Sequence, residues 1–132
     1  NFITVLERAE KLDAAKVALE KAPNDPNALV EMGKATMDGD HWVVDGRWER
    51  AIAYYKKALE IQPDLAKAQY GICKAYVQFA DTYKSKNKEL DEELAKLRKM
   101  DPKLADEIVE YRKTYSGGFK GLTPVSPSKK KP

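Results

Sequence analysis

The sequence predicts an all-α fold of stacked helical hairpins. Three observations carry that expectation: apolar residues fall at helical spacing, alternating strand patterns are absent, and prolines punctuate a repeat of about forty residues. The 132 residues suit one domain with a modest continuous core. Hydrophobic residues make up 42% and charged residues 34%, with seven Gly and seven Pro, which places the chain among helix-rich folding sequences and not among disordered ones.

The repeat is read first, because every later assignment depends on it. The segment from Ala18 to Ala35, ALEKAPNDPNALVEMGKA, aligns without gaps on the segment from Ala58 to Ala75, ALEIQPDLAKAQYGICKA. Ala18, Leu19, Glu20, Pro23, Ala28, Lys34 and Ala35 recur there as Ala58, Leu59, Glu60, Pro63, Ala68, Lys74 and Ala75. A weaker third copy repeats Pro63, Leu65, Ala66, Lys74 and Tyr76 as Pro102, Leu104, Ala105, Lys113 and Tyr115. Each copy reads as a helix end, a turn and a helix start, since Pro ends a helix but is tolerated in a first turn. Asp101 is a good N-cap for the last of these starts.

The elements follow in order. A leading helix runs from about Phe2 to Lys21. A first pair places Leu29, Met32, Gly33 and Thr36 on one helix and Trp48, Ala51, Ile52, Tyr55, Ala58 and Leu59 on the next. A second pair places Ile72, Cys73, Tyr76, Phe79, Ala80 and Tyr83 opposite Leu90, Leu94 and Leu97, and a last helix from about Pro102 to Tyr115 carries Ile108, Tyr111 and Tyr115. Residues 1–115 are thus read as the repeat domain. Residues 116–132, SGGFKGLTPVSPSKKKP, are read as a basic Gly, Pro, Ser and Lys tail without regular structure of its own, lying against its own surface or a neighbour's.

The run from Gly46 to Asp64, GRWERAIAYYKKALEIQPD, closely resembles the second helix and closing proline of the tetratricopeptide repeat family. Gly46 resembles its turn glycine, Trp48 its aromatic, Ala51 and Ala58 its small packing residues, Tyr55 its large one and Pro63 its closing proline. Leu29, Met32, Gly33 and Thr36 match the first-helix pattern in part, and Gln69, Ile72, Cys73 and Tyr76 match it better at the tyrosine. The resemblance covers roughly Leu6 to Tyr115. It departs in length, because the family repeats at about 34 residues and the extra residues here fall in the 38–45 and 80–88 regions. Sel1-like repeats are a related alternative, although the closing proline favours the first family, and HEAT repeats share the period but not these residues. The resemblance implies a right-handed solenoid with a flanking N-terminal helix and a C-terminal capping helix.

Catalytic and metal chemistry find little to use. His41 is the only histidine and Cys73 the only cysteine, so no histidine cluster or thiolate cluster can be assembled, and a Ser/His nucleophile pair would rest on one imidazole. No phosphate-binding glycine loop is present, and neither an enzymatic role nor a cofactor is expected. Cys73 takes a small-residue position and reads as a buried structural thiol, with a reactive thiol as the sharper reading, and being single it forms no intramolecular disulfide. From Asp38 to Glu49, DGDHWVVDGRWE places Asp38, Asp40 and Glu49 as in a calcium loop, but Trp42 takes a ligand place and Val43 the place of the turn glycine. The same stretch reads better as a lengthened connection packed by His41 and Trp42, or as a short hairpin with Val43 and Val44 before Asp45 and Gly46, or as a second contact surface.

Interspersed charge fixes the expected partners. The 24 basic and 21 acidic residues are spread along the chain, so the net charge of +3 forms no nucleic-acid-binding face, and no nucleic acid partner is expected. Lys129, Lys130 and Lys131 read as a solvated end, with an anionic membrane or nucleic acid as the sharper reading. No apolar run approaches the roughly 18 residues of a membrane span. The N-terminus lacks a signal-peptide pattern and opens at Asn1, as a processed or trimmed chain does.

The family resemblance implies that function lies on the concave face, which receives a protein or peptide segment. Its groove positions carry over to Asn27, Val30, Glu31, Lys34 and Met37, then to Lys67, Tyr70, Gly71, Lys74 and Gln78, and last to Asp106, Val109, Glu110 and Lys113. Of the family's carboxylate clamp for chaperone tails only Lys67 is matched, with Glu31 and Gly71 where Asn and Arg would stand, so that ligand is not expected. Lys34, Lys74 and Lys113 each lie two residues past Met32, Ile72 and Tyr111, about 200° around the helix, and so form an expected basic stripe selecting an acidic segment. Solvated lysines with no binding role are the plainer reading. The alternative function is structural self-assembly into homo-oligomers through repeat ends or the tail.

Ala58 is expected at a close helix seam, so Ala58→Trp should destabilise the fold by about 1 to 3 kcal/mol in urea titration. An unchanged midpoint would take Ala58 out of the seam.

Overall fold

The computed structural model describes residues 2–38 and 46–116. Within them the chain forms six α-helices, α1 (Phe2–Lys21), α2 (Pro26–Asp38), α3 (Arg47–Ile61), α4 (Ala66–Thr82), α5 (Asn87–Met100) and α6 (Pro102–Ser116), with a short 3-10 turn, Lys84–Lys86, before α5. No strand occurs among the described residues. The 39–45 part of the lengthened connection and the tail beyond Ser116 lie outside them, and with them His41, Trp42, Val43, Val44 and the lysines at 129–131. None of the described helices is long and apolar enough to cross a membrane.

Local chemistry sets the helix ends. Pro26 and Pro102 are first residues of α2 and α6, where a missing N–H costs nothing. Asp25 Oδ1 accepts from the Asn27 N–H at 3.0 Å, and Asp101 Oδ1 accepts from the N–H groups of Lys103 and Leu104 at 3.1 and 3.2 Å. Pro63 sits in the turn between α3 and α4, after Gln62 has closed α3 by donating its N–H to Ala58 O at 2.8 Å. Gly46 precedes α3 at φ 78°, a left-handed conformation that needs glycine.

The helices stack as α1 on α2, the pairs α2–α3 and α4–α5, and α6 against α4 and α5, with α3 lying between α2 and α4. Small residues let them approach: Ala51, Ala58, Ala68, Ala75 and Ala105 are fully buried, beside Leu29, Ile72, Leu90, Leu97 and Ile108. The second connection, which the sequence marks as lengthened, is absorbed by a longer α4 and the 3-10 turn. Tyr83, expected in the core, is 55% exposed and instead meets the edges of Phe79 and Trp48 at 5.7 and 6.4 Å. Trp48 stacks on Phe79 at 5.2 Å and joins the start of α3 to the end of α4.

Two contacts fix how neighbouring helices register. The Gln69 amide, buried on α4, donates to the backbone oxygen of Glu93 at 3.0 Å and to its carboxylate at 2.8 Å, tying α4 to α5. The Tyr55 ring, reaching from α3, passes between α2 and α4 at two glycines. A Cβ on Gly33 would stand 2.6 Å from its Cε1, and one on Gly71 2.4 Å from its Cζ. Both positions must therefore stay without a side chain.

Gly71→Ala gains about 1 kcal/mol of helix propensity but forces the wedged ring to move, at a cost of about 3 kcal/mol. Urea unfolding should show a net loss of about 2 kcal/mol, and an unchanged midpoint would mean that the ring swings out freely.

Candidate peptide-binding groove

On α4, Lys67, Tyr70, Lys74 and Gln78 recur every three or four residues and so share one helix face. The rest of that helix is occupied: Ala68, Gln69, Gly71, Ile72, Cys73, Ala75, Tyr76 and Val77 are all buried. Across from this face, α2 contributes Lys34, Met37 and Asp38. These residues, with Tyr55 and Gly71, line a hollow of about 180 Å³. Among the described residues three lysines and one carboxylate, Asp38, line it.

The ammonium groups are held differently. Lys74 Nζ lies 5.7 Å from the Tyr70 ring centroid and 5.0 Å from that of Tyr111, a cation–π arrangement on two faces. Both rings are themselves tethered. The Tyr70 hydroxyl donates to Glu107 Oε1 at 3.3 Å, and the Tyr111 hydroxyl accepts from Gln78 Nε2 at 2.9 Å. Gln78 Oε1 in turn accepts from Trp48 Nε1 at 3.2 Å. Lys34 pairs with Glu31 at 3.4 Å on the same helix, with both side chains more than half exposed, a contact water and salt weaken readily. Neither Lys67 nor Lys74 has a carboxylate within ion-pair distance among the described residues.

A family model for the TPR repeat matches residues 44–78, which take in the Gly46 turn, all of α3 and most of α4. The chain carries a tetratricopeptide repeat. The match falls on the stretch holding Trp48, Ala51, Tyr55, Ala58 and Pro63, and it supports the tetratricopeptide pattern over the Sel1-like one. Two thirds of the hollow's described lining, from Tyr55 to Gln78, belongs to this repeat. No curated protein matches the chain.

Beside that tetratricopeptide segment, the expected groove positions divide. Lys34, Lys67, Tyr70 and Lys74 come together around the hollow, with Met37, Gly71 and Gln78. Val30 does not join them: it is 0% exposed, packed in the main core, and a partner cannot touch it. Asn27 is exposed at the start of α2, and Glu31 faces a separate hollow between α1 and α2 with Arg8 and Lys11. On α6, half-buried Val109 and exposed Lys113 both lie outside the α2–α4 hollow, and Lys113 pairs with Glu110 at 3.2 Å. The cause is Tyr111. It occupies the position equivalent to buried Ile72 but turns to meet Lys74, so Lys113, about 200° further round, points away. Of the lysines expected in the stripe, Lys34 and Lys74 line the hollow with Lys67, and Lys113 does not.

Sequence reasoning missed two groups. Tyr111 packs against the core as its spacing indicates but also offers its ring to Lys74, and the distal atoms of Tyr55, expected as a packing residue, reach the hollow. Its signal was present in Gly33 and Gly71, since glycine inside a helix usually has a packing reason. Among the described residues no three His, Cys, Asp or Glu side chains come together as metal ligands. Of the calcium-like pattern only Asp38 and Glu49 fall within the described residues.

Cys73 is 0% exposed, and burial, followed by the Glu93 charge, pushes its thiol up to about 12. Iodoacetamide near pH 8 should therefore label Cys73 only as fast as the protein unfolds. Rapid labelling of the native protein would mean that the α4–α5 seam opens locally.

Proposed function

We propose that the protein is an interaction module whose concave face binds a segment of another protein, with acidic groups on that segment recognised by Lys34, Lys67 and Lys74. Tetratricopeptide repeats are protein–protein interaction modules in general, and the repeat at 44–78 supplies that much. The observation that supports the finer reading is the convergence of three lysines from two helices on one hollow, against Asp38 and the Glu31 partner of Lys34 among the described residues. Such an imbalance steers acidic partners and weakens with salt. Tyr70 and Met37 add apolar surface for the segment's neighbouring side chains.

Self-assembly by continuing the array from copy to copy is less well served by the two ends. The α1 surface exposes Glu7, Glu10, Lys11, Asp13 and Lys16 around Leu6 and Val17, and α6 turns Lys103, Asp106, Glu107, Glu110 and Lys113 outward. Two largely charged faces offer little apolar area to bury. A mass that rises with concentration would favour the assembly reading.

With a partner recovered from the native source, Lys34→Glu combined with Lys74→Glu should reduce affinity at least tenfold, about 1.4 kcal/mol, with helicity unchanged by circular dichroism. Lys113→Glu, outside the hollow, should leave it nearly unaltered. Equal loss in both variants would show a diffuse charge effect and remove the groove from the account.

A further inference from the structure

Folding leaves one polar group of the hollow unused. Tyr55 is 3% exposed and its ring is clamped at Gly33 and Gly71. The ring's distal carbons are the atoms nearest both glycines, so the hydroxyl beyond them emerges between α2 and α4 at the floor of the hollow that Tyr55 lines. That hydroxyl has no hydrogen-bond partner among the described residues, yet it is not among the atoms sealed from solvent without one. A buried polar side chain left unsatisfied at a cavity wall calls for a ligand atom or water. Burial above all, then the charges of Asp38 and Glu31, raises the Tyr55 phenol well above its ordinary range, so it stays a donor.

The lining decides which acceptor suits it. Among the described residues Lys34, Lys67 and Lys74 outnumber Asp38 and the Glu31 carboxylate that pairs with Lys34, and a neutral carbonyl would leave the remaining ammonium charge unanswered. A carboxylate has oxygen lone pairs for the hydroxyl and for the lysines together. At about 180 Å³ the hollow accommodates one acidic side chain or one chain terminus. We propose that the Tyr55 hydroxyl is the floor donor of a carboxylate subsite, hydrogen-bonding one carboxylate of a partner protein beneath Lys34, Lys67 and Lys74. The subsite rests on the groove reading and goes beyond it in naming the bound group and the residue that selects it.

Amide NMR titration of the full chain tests this with three probes: N-acetylglutamate α-amide for a side-chain carboxylate, N-acetylglycine for a terminal one, and N-acetylglutamine amide as the neutral control. At least one carboxylate should shift the Gly33 and Gly71 amides saturably while the control does not, and the stronger of the two identifies the source. Tyr55→Phe keeps the ring and should weaken that binding about fivefold or more, in line with the loss of one charge-assisted hydrogen bond. Should Tyr55→Phe lower the unfolding midpoint, exposed Lys67→Gln carries the same expected loss. No saturable shift at the two glycines, or full affinity in the folded Tyr55→Phe protein, would overturn the subsite. If the lysine double reversal abolishes partner binding and Tyr55→Phe does not, the subsite falls and the groove reading stands. Tyr55-dependent carboxylate binding with partner affinity intact in the double reversal would have the opposite meaning.

Discussion

The hollow between α2 and α4 depends on one aromatic ring crossing between the two helices. Tyr55 starts on α3, and only because Gly33 and Gly71 lack side chains can it pass through to the other side. Each glycine costs its helix about 1 kcal/mol relative to alanine. Burying an aromatic side chain of some 150–250 Å² offsets that. The consequence is geometric as well as energetic, since a ring standing between α2 and α4 also sets the gap between them. The hollow is that gap, and the stability of the array and the shape of its groove come from the same contact.

Around this wedge the polar groups are pre-arranged. Lys74 is held by rings from α4 and α6, and those rings are fixed through Glu107, Gln78 and the indole of Trp48 on α3. Side chains of three helices therefore converge to position one ammonium group, which reduces the ordering a partner would otherwise impose. Lys34, held only by an exposed contact one turn away, keeps its freedom. The groove thus joins a rigid cation to a mobile one.

The helices were legible because their signals are local. Proline, N-cap aspartate and apolar spacing act within a few residues, and Phe2–Lys21, Pro26 and Pro102 fall where those signals put them. The groove was legible only in part, because orientation about a helix axis is decided by neighbours distant in sequence. Val30 and Tyr70 hold equivalent repeat positions, yet Val30 is sealed in the core and Tyr70 lines the hollow. Tyr111 and Ile72 are likewise equivalent, and the bulkier, hydroxyl-bearing residue stays half-buried against the core while its hydroxyl meets Gln78 and its ring Lys74. A repeat predicts equivalent backbone placement, and side chains of different size and polarity then break the equivalence.

Among helices so alike in pattern, the contact between Gln69 and Glu93 has another effect. At the same repeat position α2 carries Leu29 and α6 carries Ile108, both sealed in the core. Only α4 presents an amide there, and only beside α5 does that amide meet both a carbonyl and a carboxylate. Were α4 exchanged for a sister helix, or paired with the wrong one, a buried amide would go unanswered at a cost of about 1 to 3 kcal/mol. Misassembly between similar units is a characteristic failure of repeat chains. One glutamine in an otherwise apolar layer therefore gives the central hairpin a chemical identity that its neighbours lack.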